Sequence, residues 1–546
     1  MSSTLEQKYP FISFLSWMQE PCELCQQRKV VSLSDFLAQL LPKLALVVGL
    51  DLCISSDQVI HWLEQDRSRR LVFFEKKPEE VLDFLKVEKK LLLHPQVDLK
   101  FLSEDQDLIQ TLVAQVASYP ADQVQILLST SYEKIDEDKS LKLEVFRKAT
   151  LITSWFHEKA WYHYLCDNLF PNFQKLSCAF DADSWNNIFA NVPAIICGAG
   201  PSLERQALHL QKIQHQALIL AGGSTLSALS HLQITPHIGF ALDPNPEEHQ
   251  RLQKAYGSTY PLLFGARLEK KVLDHWKGPI GYMHTSSGGF LEQHLQQQML
   301  LESAPLLKGL SAEALSVTTM ALSAAVSMGC NPIYLVGIDL AYIDDKRYAG
   351  GVIEEQQNQK HQDLSASCVS EKVNTFNRDN KPIETTIKWI MEKDAIEDFA
   401  RNHPHIQIFD CFDGGLGFDS LPKQQLQDLQ QLPCMNPKKL VEQAVAQAPL
   451  CLKDPKIMQT FFSDLEKTLR ASLELVEKLV LFCKEHPGQD PEMSALGTLW
   501  KMDLEKESSY TWLLEPLEEY SSALFQSPYD KWYHYQELLK TYLQKL

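Results

Sequence analysis

Short apolar runs that end in glycine or an acid alternate with helix-spaced stretches through most of the chain. Leu44-Ala45-Leu46-Val47-Val48-Gly49 and Leu71-Val72-Phe73-Phe74-Glu75 show no polar alternation, which marks strands buried on both faces of a parallel sheet. Helical spacing over Val59–Leu63, Pro78–Leu85 and Asp105–Val116, with strands at Val97–Leu102 and Val124–Leu128, predicts a doubly wound sheet. Gly49 and Glu75 outline a nucleotide-binding half in which the acid takes ribose hydroxyls. The turn Gly49-Leu50-Asp51-Leu52-Cys53 is short of glycine, however, and Asp51 would repel a phosphate. A Rossmann-like scaffold without ligand is the expectation there.

The same rhythm returns in the centre with richer strand ends. Val192–Cys197 runs into Gly198-Ala199-Gly200-Pro201-Ser202-Leu203, and helical sequence follows to about Lys212. Glycine lets backbone approach a ligand closely, proline suits a first helical turn, and free amides at a helix start attract anions. Ala217–Ala221 ends in Gly222-Gly223-Ser224-Thr225, Pro236–Leu242 ends in Asp243-Pro244, and Ile333–Ile338 ends in Asp339. Four strands thus finish in Gly, Ser or Asp at the edge where open α/β sheets hold ligands, which predicts a nucleotide-sized site. The uncharged window Ala314–Ile338 is long enough to suggest a membrane span, but Gly329-Cys330-Asn331-Pro332 divides it into a buried helix and a strand.

Beyond residue 430 the pattern turns helical. Phe462, Leu465, Leu469, Leu473, Val476 and Val480 recur at steps of three or four, and Trp500, Trp512, Tyr533 and Leu538 continue in that style. Such a face fits packing on the core and self-association equally. The fold expected is α/β: a Rossmann-like N-terminal domain over 1–175, a nucleotide-binding α/β domain over 176–430, and a helical C-terminal domain over 431–546.

Composition narrows the function. With 45% apolar and 22% charged residues the chain is a globular protein. Lys and Arg total 52 against 70 Asp and Glu, a net charge of −18, which argues against a protein built to hold nucleic acid. The N-terminus lacks a basic start followed by an apolar stretch, so no secretory signal is expected and a cytoplasmic location is. The 12 cysteines are scattered as reduced thiols would be; Cys22-Glu23-Leu24-Cys25 forms a CxxC with no second pair nearby.

The strand–Gly-x-Gly-Pro-Ser-Leu–helix stretch, Ser316-Val317 opening a helix, and Gly337-Ile338-Asp339-Leu340-Ala341-Tyr342 resemble the Maf (motility-associated factor) flagellin glycosyltransferases and their MptE-like, 6-hydroxymethylpterin diphosphokinase relatives. The central part is also similar to CMP-sialic-acid sialyltransferases. The likeness covers about residues 190–420 and extends to Phe412-Asp413-Gly414-Gly415-Leu416-Gly417. It implies transfer of a nonulosonic, sialic-like sugar from a CMP donor to a protein Ser/Thr or a glycan. Gly198, Ala199, Gly200, Pro201, Ser202 and Leu203 would then cradle the phosphate, Gly222, Gly223 and Ser224 would line the nucleoside, and Asp243 and Asp339 would hold ribose or sugar hydroxyls. Relatives carry a His after the Gly-x-Asp segment; here Tyr348 stands in that place and His361 is the nearest substitute base, with His284 on another loop as a weaker one. Lys346, Arg347 or Tyr348 would stabilise the leaving phosphate. Two alternatives stay open. One is a pterin pyrophosphokinase, for which Asp243 and Asp339 would hold Mg²⁺; the other is a non-catalytic nucleotide-binding scaffold.

Overall fold

The computed structural model describes most of residues 42–352 and 372–546, with Leu5, Lys8, Tyr9, Phe11 and Leu33. Within those spans 52–53, 103–106, 117–118, 120–122, 130, 133–139, 161, 286–288, 300–302, 312–315, 432–433, 519–524 and 526 lie outside the description. The Cys22–Cys25 pair and His361 are also outside it. The chain divides into two compact units, the first built mainly on Met1–Ser154 and the second on Trp155–Gln357, Thr375–Ile383 and Trp389–Leu546.

In the first unit β1 (Leu44–Val48), β2 (Arg70–Glu75), β3 (Val97–Phe101) and β4 (Val124–Leu128) form a parallel sheet in the order β3-β2-β1-β4. Helices α1 (Ser56–Glu64), α2 (Pro78–Val87) and α3 (Leu108–Val116) cross between them, as the apolar runs predict. Glu75 is buried, and its carboxylate accepts from Leu50 N at 3.1 Å, Tyr132 Oη at 2.5 Å and the amides of Lys76 and Lys77. The acid that a nucleotide-binding half would turn toward a ribose instead ties the strand-end loops together. Gly49, at φ +91°, leaves no room beside Ser129: a Cβ there would stand 1.9 Å from its hydroxyl.

The second unit holds α4 (Tyr162–Lys175) and an eight-stranded sheet. Its strands are β5 (Phe180–Asp181), β6 (Ala194–Cys197), β7 (Leu218–Gly222), β8 (Ile238–Ala241), β9 (Leu262–Phe264), β10 (Ile280–Tyr282), β11 (Ile333–Val336) and, after the hairpin β12 (Lys372–Phe376) and β13 (Pro382–Thr386), β14 (Ile408–Asp410). The order is β14-β11-β6-β7-β8-β9-β10-β5, with parallel neighbours throughout. The chain leaves β6 toward β7 and returns on the other side as β11, so the order reverses at β6. In open α/β sheets the carboxyl ends of the strands that flank such a reversal are the edge where ligands sit.

Helices α5 (Ser202–Ile213), α6 (Ser224–His231), α7 (Pro246–Leu252), α8 (Gly289–Met299), α9 (Val317–Ser327) and α10 (Ile387–Asn402) cover the sheet. α9 and β11 are the two halves of the uncharged window. α9 carries Ala321, Ala324 and Ala325 fully buried, because small side chains let it lie close on the strands. Among the described residues no helix is long and apolar enough to cross a membrane.

The C-terminal helices α11 (Pro437–Gln447), α12 (Pro455–Glu485), α13 (Ala495–Leu504) and α14 (Pro528–Lys545) belong to this second unit and do not stand apart. Leu465, Leu469, Val476 and Val480 of α12 are buried in one core with residues of α4 and the sheet. Phe173 meets Phe461 edge-on at 5.7 Å and Phe170 meets Tyr542 at 6.2 Å. The apolar face read from the sequence is therefore spent within the chain, although Tyr533 stays exposed. Leu469→Ala is expected to lower stability by about 2–5 kcal/mol in denaturant unfolding, against roughly 0.5 kcal/mol for Leu481→Ala, whose side chain is exposed. Equal effects would contradict the shared core.

Candidate functional site

The first turn of α5 follows β6 with no side-chain cap of its own, since Pro201 occupies the N-cap. Its orphan amides need a partner. That partner comes from the end of β11: Asp339 Oδ2 accepts from Ser202 N at 2.8 Å and Oδ1 from Ser202 Oγ at 2.5 Å. Asp339 is buried, and burial pushes its carboxyl above the usual range, opposed by the two Ser202 bonds. A carboxylate at a helix N-terminus also offsets the positive end of the dipole. The expectation that Ser202 donates to a phosphate thus meets an occupant already in place.

Glycine makes this contact sterically possible. Gly200 N donates to Gly337 O at 2.8 Å, and a Cβ on Gly200 would stand 2.3 Å from Asp339 Oδ2 and 2.7 Å from Gly337 O. Gly198 and Gly337 are equally pressed together. The Gly414-Gly415 segment closes from the other side, with Leu416 N donating to Asp339 O at 2.7 Å and Arg205 paired to Asp413 at 3.0 Å. Three strand-end loops therefore interlock backbone to backbone around Asp339. Leu203 turns inward from this bend into the core, and Ala199 O accepts from Ala349 N at 2.8 Å. That bond brings the 346–350 segment alongside the β6–α5 turn. Tyr348 is half-buried there, with the Arg347 guanidinium 5.0 Å from its ring centroid.

The second glycine turn lies one strand over. Gly222 fits under the start of α9, where a Cβ would stand 2.2 Å from Val317 Cγ1. Gly223 has φ +50° and ψ −132°, a conformation suited to glycine, and Ser224 opens α6. Asp243, past the end of β8, has both oxygens engaged: Oδ1 accepts from Asn245 N and Nδ2, and Oδ2 pairs with Arg251 at 3.0 Å. Asp243 and Asp339 close strands three steps apart, about 14 Å at ordinary strand spacing. Their engaged oxygens and separation do not fit a shared Mg²⁺, whose oxygen ligands crowd around one ion. Among the described residues no three His, Cys, Asp or Glu side chains converge as metal ligands.

His284 follows β10, four strand steps from β6. Its Nδ1 lies 3.4 Å from Asp183 Oδ2, its amide donates to the same oxygen at 2.8 Å, and Leu306 N donates to Asp183 Oδ1 at 2.7 Å. Burial lifts Asp183 to about 7 and lowers His284. Asp183 thereby anchors two passing segments, four strand steps from β6.

Sequence reasoning missed two acids of this edge. Glu248, in the first turn of α7, is buried and lies beside Gly223. Glu392 of α10 is buried and accepts from Ser316 Oγ at the N-cap of α9. Burial raises each to about 7, Asp243 adding to the rise at Glu248. Neither carries a strand-end signal: Glu248 is a first-turn acid, which is commonplace, and Glu392 lies beyond the first turn of α10.

Comparison with known proteins comes to bear on this arrangement. Residues 167–345 match the model of the family described as 6-hydroxymethylpterin diphosphokinase MptE-like. No curated protein matches. The structure of a Maf glycosyltransferase from Magnetospirillum magneticum AMB-1 superposes with a TM-score of 0.50 at 13% identity, over 99% of this chain and 86% of that one. At that identity the likeness is one of fold.

Gly200→Ala is expected to cost about 1–3 kcal/mol by overpacking the Asp339 contact, whereas Gly257→Ala, with open space around it, stays within about 0.5 kcal/mol. Matching thermal shifts would contradict the interlock. The raised Glu392 carboxyl binds its proton more tightly folded than unfolded. Its contribution, roughly 3 kcal/mol, is full below about pH 4.5 and fades as pH rises through about 7. Glu392→Gln should remove that part of the pH slope in denaturant titrations; an unchanged slope would contradict it.

Proposed function

We propose that this chain, MptE-like over residues 167–345 and sharing its fold with a Maf glycosyltransferase, transfers a nonulosonic sugar from a CMP donor to a protein Ser/Thr or glycan acceptor. The observation that carries the reading is the gathering of the Gly222–Ser224 turn, the Asp339-braced Gly198–Leu203 turn and the Asp243–Arg251 pair at one carboxyl edge, beside the reversal of strand order. In this proposal the nucleoside lies over Gly222, Gly223 and Ser224. The phosphate lies away from the opening of α5, where the Asp339 carboxylate already stands. Gly198, Ala199, Gly200 and Pro201 form a wall of the proposed site, and Asp339 holds that wall in shape.

Transfer needs a base for the acceptor hydroxyl and a counter-charge for the departing phosphate. Arg347, carried with Tyr348 beside the β6–α5 turn, is proposed to supply the charge. His361 is the proposed base. A cytoplasmic site of action goes with this reading. The pterin pyrophosphokinase reading draws support from the description of the matched family, but the engaged oxygens of Asp243 and Asp339 count against the Mg²⁺ it requires.

Calorimetry with CMP is expected to show saturable binding, and a CMP-activated nonulosonic sugar is expected to release CMP in the presence of acceptor. Arg347→Ala should lower kcat about tenfold or more with little change in thermal midpoint. Binding without turnover would support the scaffold alternative. AMP release from ATP with a hydroxymethyl-dihydropterin, and none from the CMP sugar, would overturn the transferase reading in favour of the kinase.

A further inference from the structure

Glu248 is an acid of this edge with an oxygen to spare, and the role assigned to it below rests on the nucleotide reading of the site. Its residue is only 1% exposed. Oε2 faces Arg251 at 3.5 Å, while Oε1 is sealed from solvent and has no hydrogen-bond partner. Buried carboxylate oxygens are rarely left unmatched, because desolvation without a donor is costly. Oε1 is also aimed: a Cβ built on Gly223 would stand 3.7 Å from it and 4.0 Å from Val317 Cγ2. The orphaned atom therefore lies directly behind the glycine turn between β7 and α6, against the backbone that the nucleotide reading assigns to the nucleoside. Asp243, the acid that the strand-end pattern singles out, has no comparable atom, since Asn245 and Arg251 occupy its oxygens.

We propose that Glu248 Oε1 accepts a hydrogen bond from a donor on the nucleoside of a pyrimidine nucleotide seated over Gly222–Ser224, so that Glu248 rather than Asp243 reads the ligand at this edge. Three groups of such a nucleoside present the required chemistry, the base amino group and the ribose 2′- and 3′-hydroxyls. Glu248 acts as a specificity contact, with no bond made or broken at its carboxylate.

The test is calorimetry of CMP, UMP and 2′,3′-dideoxy-CMP against the full-length protein, Glu248→Met and Glu248→Gln. UMP lacks the amino donor and 2′,3′-dideoxy-CMP lacks both ribose hydroxyls. The wild type is expected to bind one analogue about tenfold or more weaker than CMP, which assigns the donor to base or ribose. Glu248→Met should bind CMP about tenfold to a hundredfold weaker and lose the discrimination. Glu248→Gln, which keeps a carbonyl oxygen in place, should retain most of it. A merely structural acid would weaken all three ligands alike. Equal affinity of the wild type for all three overturns the proposal whether or not Glu248→Met folds, and so does intact discrimination in a folded Glu248→Met. Absence of CMP binding to the wild type is a different result: it removes the nucleotide reading itself.

Discussion

The bond between Asp339 and the first turn of α5 joins residues 137 positions apart, and the carboxyl edge of the large sheet depends on it. A helix that begins with proline at its N-cap cannot satisfy its own amides. Here β11, distant in the chain but adjacent to β6 in the sheet, leads into the missing acceptor. The contact requires β6 and β11 to be neighbours, requires glycine at 198, 200 and 337, and requires Gly415 to pass over the Asp339 carbonyl. A side chain at any of these glycines would press the loops apart. The cost is a buried carboxylate, which the two Ser202 donors offset.

This constraint alters how the Gly-x-Gly-Pro-Ser-Leu stretch is understood. The motif invites comparison with phosphate loops, whose amides face outward. In this chain Gly198, Gly200 and Ser202 direct their amides to Val336, Gly337 and Asp339. The glycines serve approach of backbone to backbone, and the acid serves as an internal anion. In the proposed reading, ligand recognition falls to the β7–α6 turn. There Gly223 leaves space and Glu248 presents an unmatched oxygen.

Much of the fold is legible from the sequence because burial on both sides of a parallel sheet leaves an unmistakable apolar run. Leu44–Val48, Ile195–Cys197 and Ile333–Val336 all fall in strands. The three-residue strands β9 and β10 and the two-residue β5 are too short to leave such a mark. The union of α12 and α14 with the sheet core is equally hidden, because helical spacing reveals an apolar face without revealing what covers it. At the site, the strand-end glycines and Asp339 stand out by position. Ser202 as the partner of Asp339, and the isolation of Glu248 Oε1, arise from distant segments meeting in space. Glu248 follows Glu247 at the start of α7, and only burial separates their circumstances.

A crystal structure with CMP bound tests the central claim most directly. Pyrimidine nucleotide density is expected over Gly222–Ser224 beside Glu248, with Asp339 still bonded to Ser202. Phosphate density at the Ser202 amide, with the Asp339 carboxylate displaced from it, would contradict that claim.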